Sequence, residues 1–260
     1  MLQYIKIRLR SSFEMWIKLY FKMRLKTSID LGREMSNIGH GKKYEETKSK
    51  VLRAAAKLFL QNGYQKSTAK EIAAEAEINY STIFFVFKDK EAILCEILGH
   101  VLTLQSNKVG SLPSCKEVSP LERFAVEATL LLQLAERAEA LREMYVVAYS
   151  LPHSPEILYR QLTGQLQTVF EKDLPDLEPK DFYEKEIAVG GILRSFICAP
   201  CDMYFSIKRK VRAMLDAIFS VYGASEERKR QATVFALSVD YEDIAGEIVG
   251  EVLQYIKKRT

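Results

Sequence analysis

Between Asn79 and Lys90 the sequence reads NYSTIFFVFKDK, which sets short polar side chains, a cluster of rings and two lysines side by side. Amide and hydroxyl groups at a helix start hydrogen-bond planar polar edges, such as those of bases in a major groove. Lysine binds phosphate as a point charge, and a helix N-terminus adds free N–H groups and a positive dipole end. The chemistry on offer is therefore recognition of an anionic polymer. Helical spacing sorts the rings. Ile83 and Phe87, four apart, face a core, and Tyr80 and Phe84, also four apart, make a neighbouring stripe at the binding edge. Phe85 falls outside both pairs. It is expected to pack against the rest of the protein, the alternative being contact with a thymine methyl in the groove.

Such a segment has to be held by other helices. Val51, Ala55, Leu58, Phe59 and Asn62 recur at helical spacing, and Asn62-Gly63 is a stop signal. Thr68 starts a second helix with Glu71 as its capping-box partner, and Ile72, Ala73 and Ala76 are its buried face. Asn79 is expected to cap the short third helix and Asp89 a fourth, running through Ile93, Leu94, Ile97, Leu98, Val101 and Leu102. Two helices joined by a tight turn, the second projecting its N-terminal end, make a helix-turn-helix.

The remainder repeats helix and break. Pro120 opens a helix over Leu121–Leu134, followed by Ala138–Ser150. Pro152 and Pro155 precede Glu156–Asp173, and Pro175 and Pro179 precede Phe182–Ala199. Then come Tyr204–Tyr222, closed by Gly223, and one long segment, Glu226–Arg259. Period-2 alternation bounded by hairpin turns is missing, so the expected fold is all-α.

Charge divides along the same lines. The 260 residues carry a net charge of +4, but residues 42–93 alone carry ten basic and seven acidic side chains, whereas residues 94–260 carry 20 and 24. A small basic module thus precedes a larger acidic one, which fits an anionic partner for the first only. Four cysteines are too few for a secreted disulfide scaffold, and the chain lacks an apolar run of about 18 residues, so a cytoplasmic protein with no membrane span is expected. Residues 1–34 hold eight Lys/Arg and three Asp/Glu and admit two readings. One is a basic amphipathic helix on a membrane surface. The other is a segment outside the native protein: codons for Gly32-Arg33-Glu34 can resemble a ribosome-binding site, which would make Met35 the start.

The stretch VLRAAAKLFLQNGYQKSTAKEIAAEAEINYSTIFFVFKDKEAIL resembles the DNA-binding region of the TetR family of bacterial transcriptional regulators. Phe59, Gly63-Tyr64, Thr68, Ile72-Ala73 and Phe87-x-x-Lys90-Glu91 carry the likeness, over residues 48–94. The resemblance implies an N-terminal three-helix DNA-binding domain over residues 43–94, behind an extension of residues 1–42. A larger helical domain for ligand binding and dimerisation would follow over residues 95–260. It implies a homodimer joined through about 182–199 and 226–257, binding double-stranded DNA at a palindromic operator and released by a small-molecule effector. In that frame Lys48, Thr68, Lys70, Lys88 and Lys90 position the duplex through phosphate, and Asn79, Tyr80, Ser81, Thr82 and Phe85 read bases. The sequence departs from the family in three places. Phe84 stands where a tyrosine hydroxyl usually bonds phosphate, Phe85 and Val86 replace polar or basic residues, and Glu77 takes a turn position usually held by glycine. The missing hydroxyl is worth about 1–2 kcal/mol, so a helical module with weakened DNA binding is the alternative.

Other constellations point nowhere further. Cys198-Ala-Pro-Cys201 is a single CxxC, which cannot complete a tetrahedral zinc site, and reads as a buried pair near a helix end, with a thiol sensor as alternative. His40, His100 and His153 lack ligand spacing, so no metal and no cofactor is called for. There is no Ser/His/Asp arrangement or Gly-rich phosphate loop, and an enzyme is not expected. Gly190-Gly191 reads as a close helix–helix approach, and SIKRKVR, residues 206–212, as a solvated helix face. Phe124, Leu131, Tyr145, Tyr149, Phe170 and Phe196 are the candidate lining for a partly apolar effector inside the bundle.

Overall fold

The computed structural model describes residues 38–151, 166–170 and 174–257, and among these every regular element is a helix. Both readings of residues 1–34, and most of the helix expected over Glu156–Asp173, lie outside the described residues. Helix α1 spans Ile38–Asn62 and ends where Gly63 takes φ +85°, a left-handed value that glycine adopts without strain. Helix α2 is Ala69–Glu75, α3 is Tyr80–Val86 and α4 is Lys90–Ser111. After a 3₁₀ turn at Pro113–Cys115 come α5, Pro120–Arg137, and α6, Glu139–Ala148. Residues 166–170 are helical. The rest is α7, Pro179–Cys198; α8, Ile207–Val221; α9, Glu226–Ser238; and α10, Glu242–Lys257.

Polar signals set these boundaries. Thr68 and Ser119 each accept from the N3 amide while Glu71 and Glu122 reach back to the cap amide, two complete capping boxes. Asp89 caps α4 by accepting from Ala92 N at 2.7 Å. The boundary expected at 94/95 falls inside α4, so the DNA-binding helices and the larger body share one continuous rod. The single helix expected over 226–259 is two: α9 stops at Ser238 and α10 starts at Glu242, with Tyr241 buried between them and its hydroxyl donating to the Ala236 carbonyl at 2.7 Å. Anchoring that ring inside forces the chain to turn.

Helix α5 is the hub of the body and contacts α4 and α6 through α10. Ten of its side chains are buried, from Leu121 to Ala135, so it is apolar nearly all round, as a central helix must be. The outer helices are amphipathic and turn one face towards it. On α8, Val211, Met214, Leu215, Ile218 and Phe219 are buried while Lys208, Arg209, Arg212 and Asp216 face solvent. The exception in SIKRKVR is Lys210, which is fully buried, so that stretch is not the uniformly solvated face its charges suggest. Of Gly190-Gly191, Gly190 is buried, whereas Gly191 is exposed, with nothing within 4 Å of where a Cβ would stand, so no described helix approaches on the Gly191 side. Nor are Cys198 and Cys201 a buried pair: Cys198 is exposed and Cys201 half-buried, because the chain leaves α7 at this point and runs along the surface. None of the described helices is long and apolar enough to cross a membrane.

Candidate nucleic-acid interface

Three helices form a small core that fixes α3. Val51, Leu52, Ala55 and Phe59 of α1 and Ile72, Ala73 and Ala76 of the α2 segment are buried, as are Ile83, Val86 and Phe87 around α3. Phe59 meets Tyr64 edge to face at 5.0 Å. The pairing of Ile83 with Phe87 as core residues is as their spacing predicts. Val86 is buried too, which gives it a packing role in place of the polar contact its position suggests in the family.

The α2–α3 turn has the geometry that the departure at Glu77 implied. Glu77 sits at φ +54°, its amide donating to the Ala74 carbonyl and the Ile78 amide to the Ala73 carbonyl. This is a Schellman closure with a glutamate at the position that favours glycine. An L-residue there is strained by roughly 1–2 kcal/mol, partly offset in glycine by greater freedom when unfolded. Glu77→Gly is therefore expected to stabilise the protein by about 1 kcal/mol in urea titration. Equal or lower stability would show that the side chain compensates locally.

The face of α3 opposite the core is open. Tyr80, Phe84 and Phe85 are 46%, 50% and 75% exposed, with Tyr80 and Phe84 edge to face at 5.1 Å. Phe85 was expected against the rest of the protein. Its exposure places it outward, one turn-step round from the buried Val86. Ser81 is exposed and Thr82 half-exposed beside it. Asn79 stands at the cap position, yet its side chain makes no capping bond, so its amide is presented outward and the helix start is held by the Thr82 amide on the Asn79 carbonyl.

The lysines divide into two sets. Lys66, Lys70 and Lys88 are exposed around α3, and Lys66 was not among the residues that sequence reasoning selected. Lys48 and Lys90 are turned inward, contrary to the expectation that they meet phosphate. Lys90 Nζ donates to the Tyr64 and Ser67 carbonyls, each at 2.9 Å, and lies 4.0 Å over the Tyr64 ring. Burial lowers the Lys90 pKa and, as the first cause, pushes the Tyr64 phenol up to about 12. Lys48 Nζ pairs with Glu96 Oε1 at 2.6 Å, both side chains largely covered, and so ties α1 to α4. These two ammonium groups serve the fold because the α1–α2 loop and α4 offer them acceptors nearer than solvent. Thr68 is exposed but holds the α2 cap.

One contact joins the loop behind α2 to the body. Glu143 of α6 accepts from the Gln65 amide at 3.2 Å, and a Cβ at Gly63 would stand 2.5 Å from its Oε2. Gly63 is thus favoured by its backbone angle, and a side chain there would also displace the Glu143 carboxylate.

Residues 51–97 match the family model described as bacterial regulatory proteins, tetR family. Over these residues the chain is similar to the DNA-binding region of the TetR family. It is 26% identical over 113 residues to the uncharacterized HTH-type transcriptional regulator YuxN of Bacillus subtilis strain 168, covering 44% of this chain and 38% of YuxN. To the HTH-type transcriptional regulator HbdR of Aromatoleum sp. strain CIB it is 35% identical over 65 residues, 25% of this chain and 28% of HbdR. The chain therefore spans well under half the length of these curated relatives. The crystal structure of RolR in complex with resorcinol superposes with a TM-score of 0.57 at 17% identity, over 76% of this chain and 97% of RolR, which shows a shared fold.

In the larger helical body the expected effector lining splits. Phe124 and Phe170 come together, their centroids 6.2 Å apart, and each lies 6.3 Å from Phe219. Tyr222 stacks on Phe170 at 4.0 Å and 9°, with Phe182 beyond it at 6.2 Å. Phe196 stands apart from this cluster and pairs with Phe205 at 6.5 Å. Tyr145 is buried and donates to Gln105 Oε1 at 3.3 Å, and burial, with Tyr149 nearby, raises its pKa. Leu131 is buried in the hub. Phe182, Phe219, Tyr222, Gln105 and Glu186 went unselected from sequence, since a lone Gln or Glu in a helical pattern carries no sign of burial. The side-chain atoms Gln105 Nε2 and Glu186 Oε2 are buried without a hydrogen-bond partner among the described residues. A separate cleft lies between α5, α8 and the α9–α10 corner, lined by Thr129, Arg137, Val211 and Tyr241 among others.

Proposed function

We propose that this chain is a ligand-responsive transcriptional regulator that binds a palindromic operator as a homodimer and represses until a small-molecule effector releases it. The observation that carries this reading is α3: Ile83 and Val86 lock it into the three-helix core while Tyr80, Ser81, Phe84 and Phe85 face outward. Asn79, Tyr80, Ser81 and Thr82 would meet base edges, and Phe85 a thymine methyl. Thr68, Lys66, Lys70 and Lys88 would position the duplex through phosphate. Two such helices about 34–36 Å apart would read successive major grooves on one face of DNA. The dimer contact is assigned to the outward face of α7, where Ile187 offers an exposed apolar side chain and Ala188, Gly191 and Ser195 are exposed and small enough to admit a partner helix. The apolar face of α10, by contrast, is already covered, with Ile244, Ala245 and Ile248 buried towards α4 and α5.

Effector control would act through contacts that join body and head. Glu143 on α6 and the Lys48–Glu96 pair on α4 link the aromatic body to the loop and helix that hold α2 and α3. A ligand that binds better to one arrangement of these helices shifts the population towards it and changes DNA affinity by the same free energy.

The test is duplex binding by fluorescence anisotropy at two salt concentrations. Three exposed lysines on each of two protomers put about six ammonium groups on phosphate, so affinity should fall about a thousandfold between roughly 50 and 200 mM salt. Weak binding that ignores salt would favour a helical module without DNA binding, the reading that Phe84, lacking the family's hydroxyl, keeps open. Phe85→Ala is expected to weaken operator binding about tenfold while shifting folding stability by less than about 0.5 kcal/mol. A matching loss of stability would return Phe85 to a packing role.

A further inference from the structure

We infer that α3 reads the C5-methyl groups of pyrimidines, so that thymine is selected beneath Phe84 and Phe85 and 5-methylcytosine stands in for it. This rests on the DNA-binding reading above and names the feature of the duplex that the helix recognises. Helix α3, YSTIFFV, has no charged and no amide side chain. It therefore lacks the Arg or Lys that takes guanine O6 and N7, the commonest specific contact in a major groove. What it presents is apolar: Phe84 is 50% and Phe85 75% exposed, side by side. Ile83, Val86 and Phe87 are buried in the three-helix core, so the helix cannot roll to cover these rings. Exposed apolar surface rimmed by charge marks a contact site, and the rim here is Lys66, Lys70 and Lys88, all exposed. Their charge complements phosphate, which commits the rings to a duplex.

The chemistry of a phenyl ring decides what it reads. It has no donor or acceptor, so it does not tell thymine O4 from cytosine N4. The apolar group that the major groove offers is the thymine C5-methyl. Tyr80 meets Phe84 edge to face, at 5.1 Å and 85°, and holds that ring in one orientation. Asn79, exposed at the head of the helix, matches adenine N6 and N7, which points to the same A·T composition. A G·C pair would set polar edges against both rings. A methyl on its cytosine C5 restores the apolar contact without changing the pairing. Burying one such group strengthens binding about fourfold, and two rings on each of two helices reach about a hundredfold together.

The experiment offers the full chain three pools of random-sequence duplexes. One carries thymine, one carries uracil in its place, and one carries uracil together with 5-methylcytosine. Retention is measured at two salt concentrations and the bound sequences are read. Salt-sensitive retention of A·T-rich half-sites is expected from the thymine pool. Loss of the methyls in the uracil pool should weaken it about a hundredfold. The third pool should recover it, with cytosine at the positions that thymine held. Phe84→Ala combined with Phe85→Ala removes two exposed rings; this variant should keep salt-sensitive binding through the lysines and treat the three pools alike. Equal retention of the same sequences from the thymine and uracil pools, or G·C half-sites bound without methyls, would overturn this inference and leave DNA binding in place. A methyl preference that survives in the double variant would do the same. Retention in no pool, or retention indifferent to salt, would overturn the DNA-binding reading and this inference with it.

Discussion

Replacing Lys210 with alanine is expected to destabilise the protein by about 3 kcal/mol, measured as the shift in a urea unfolding curve. Lys210 is fully buried on α8, and its ammonium bonds Glu136 Oε1 at 2.6 Å and the Ala199 carbonyl at 2.5 Å. Glu136 also accepts from Arg142 Nη2 and from the Cys201 amide, each at 3.2 Å. One carboxylate therefore gathers α5, α6, α8 and the loop after α7. Burial pushes the Glu136 carboxyl up, but the Lys210 and Cys201 hydrogen bonds outweigh it and hold it below the usual range. Removing the lysine leaves a mostly covered carboxylate, an unpaired carbonyl and the space of four methylenes. Breaking such a pair ordinarily costs about 3–5 kcal/mol, and the retained Arg142 contact places this case at the low end. Lys210→Met fills most of the space and separates packing from charge. A loss close to that of alanine would assign the effect to the charge, and a loss under about 1 kcal/mol for both would contradict the account.

The second large effect is a fall in stability with rising pH that Glu186 produces. Its carboxyl is raised from 4.5 to about 7 in the folded protein, first by burial, with the Tyr222 hydrogen bond opposing. A raised acid binds its proton more tightly when folded. Its contribution is thus complete below about 4.5 and is lost as pH climbs to about 7, above which the curve flattens. The difference amounts to about 3 kcal/mol across that window, a large share of a typical folding free energy. His100, whose imidazole is lowered chiefly by desolvation, titrates in the opposite sense. Its contribution is common to wild type and Glu186→Gln and cancels in their difference. The stability difference between wild type and Glu186→Gln, from urea curves at pH 5 to 8, should therefore fall with rising pH and level off above about 7. A difference between the two proteins that does not change with pH would show the carboxyl is not desolvated.

Much of the fold was legible because its signals are local. Thr68 with Glu71 and Asp89 at a helix start announce caps through chemistry confined to one turn, and both are where the sequence places them. Glu77 was legible for the same reason, since a turn that wants a positive φ declares itself by position. What failed was long-range. Lys48 and Lys90 look like any basic residues beside a helix-turn-helix, and only Glu96, Tyr64 and Ser67, brought near by folding, turn them inward. Asn79 is a good cap by type, yet the Thr82 amide is satisfied by its carbonyl instead. Lys210 hid in a basic run because its partner Glu136 is far away in sequence. Glu186 carried no pattern, and neither did the stacking of Tyr222 on Phe170. The outward turn of Phe85 was not legible because it falls outside both four-apart pairs, and only the folded core shows Val86 taking the buried place beside it.

The most direct test of DNA recognition is selection of genomic fragments by the purified full chain, sequenced at two salt concentrations. An enriched palindrome with half-sites one helical turn apart, or a multiple of it, whose recovery falls steeply with salt, is the expected result. Phe85→Ala should weaken that enrichment without unfolding the protein. No enriched sequence, or enrichment indifferent to salt and to Phe85, would contradict the assignment of α3 as a DNA-reading helix.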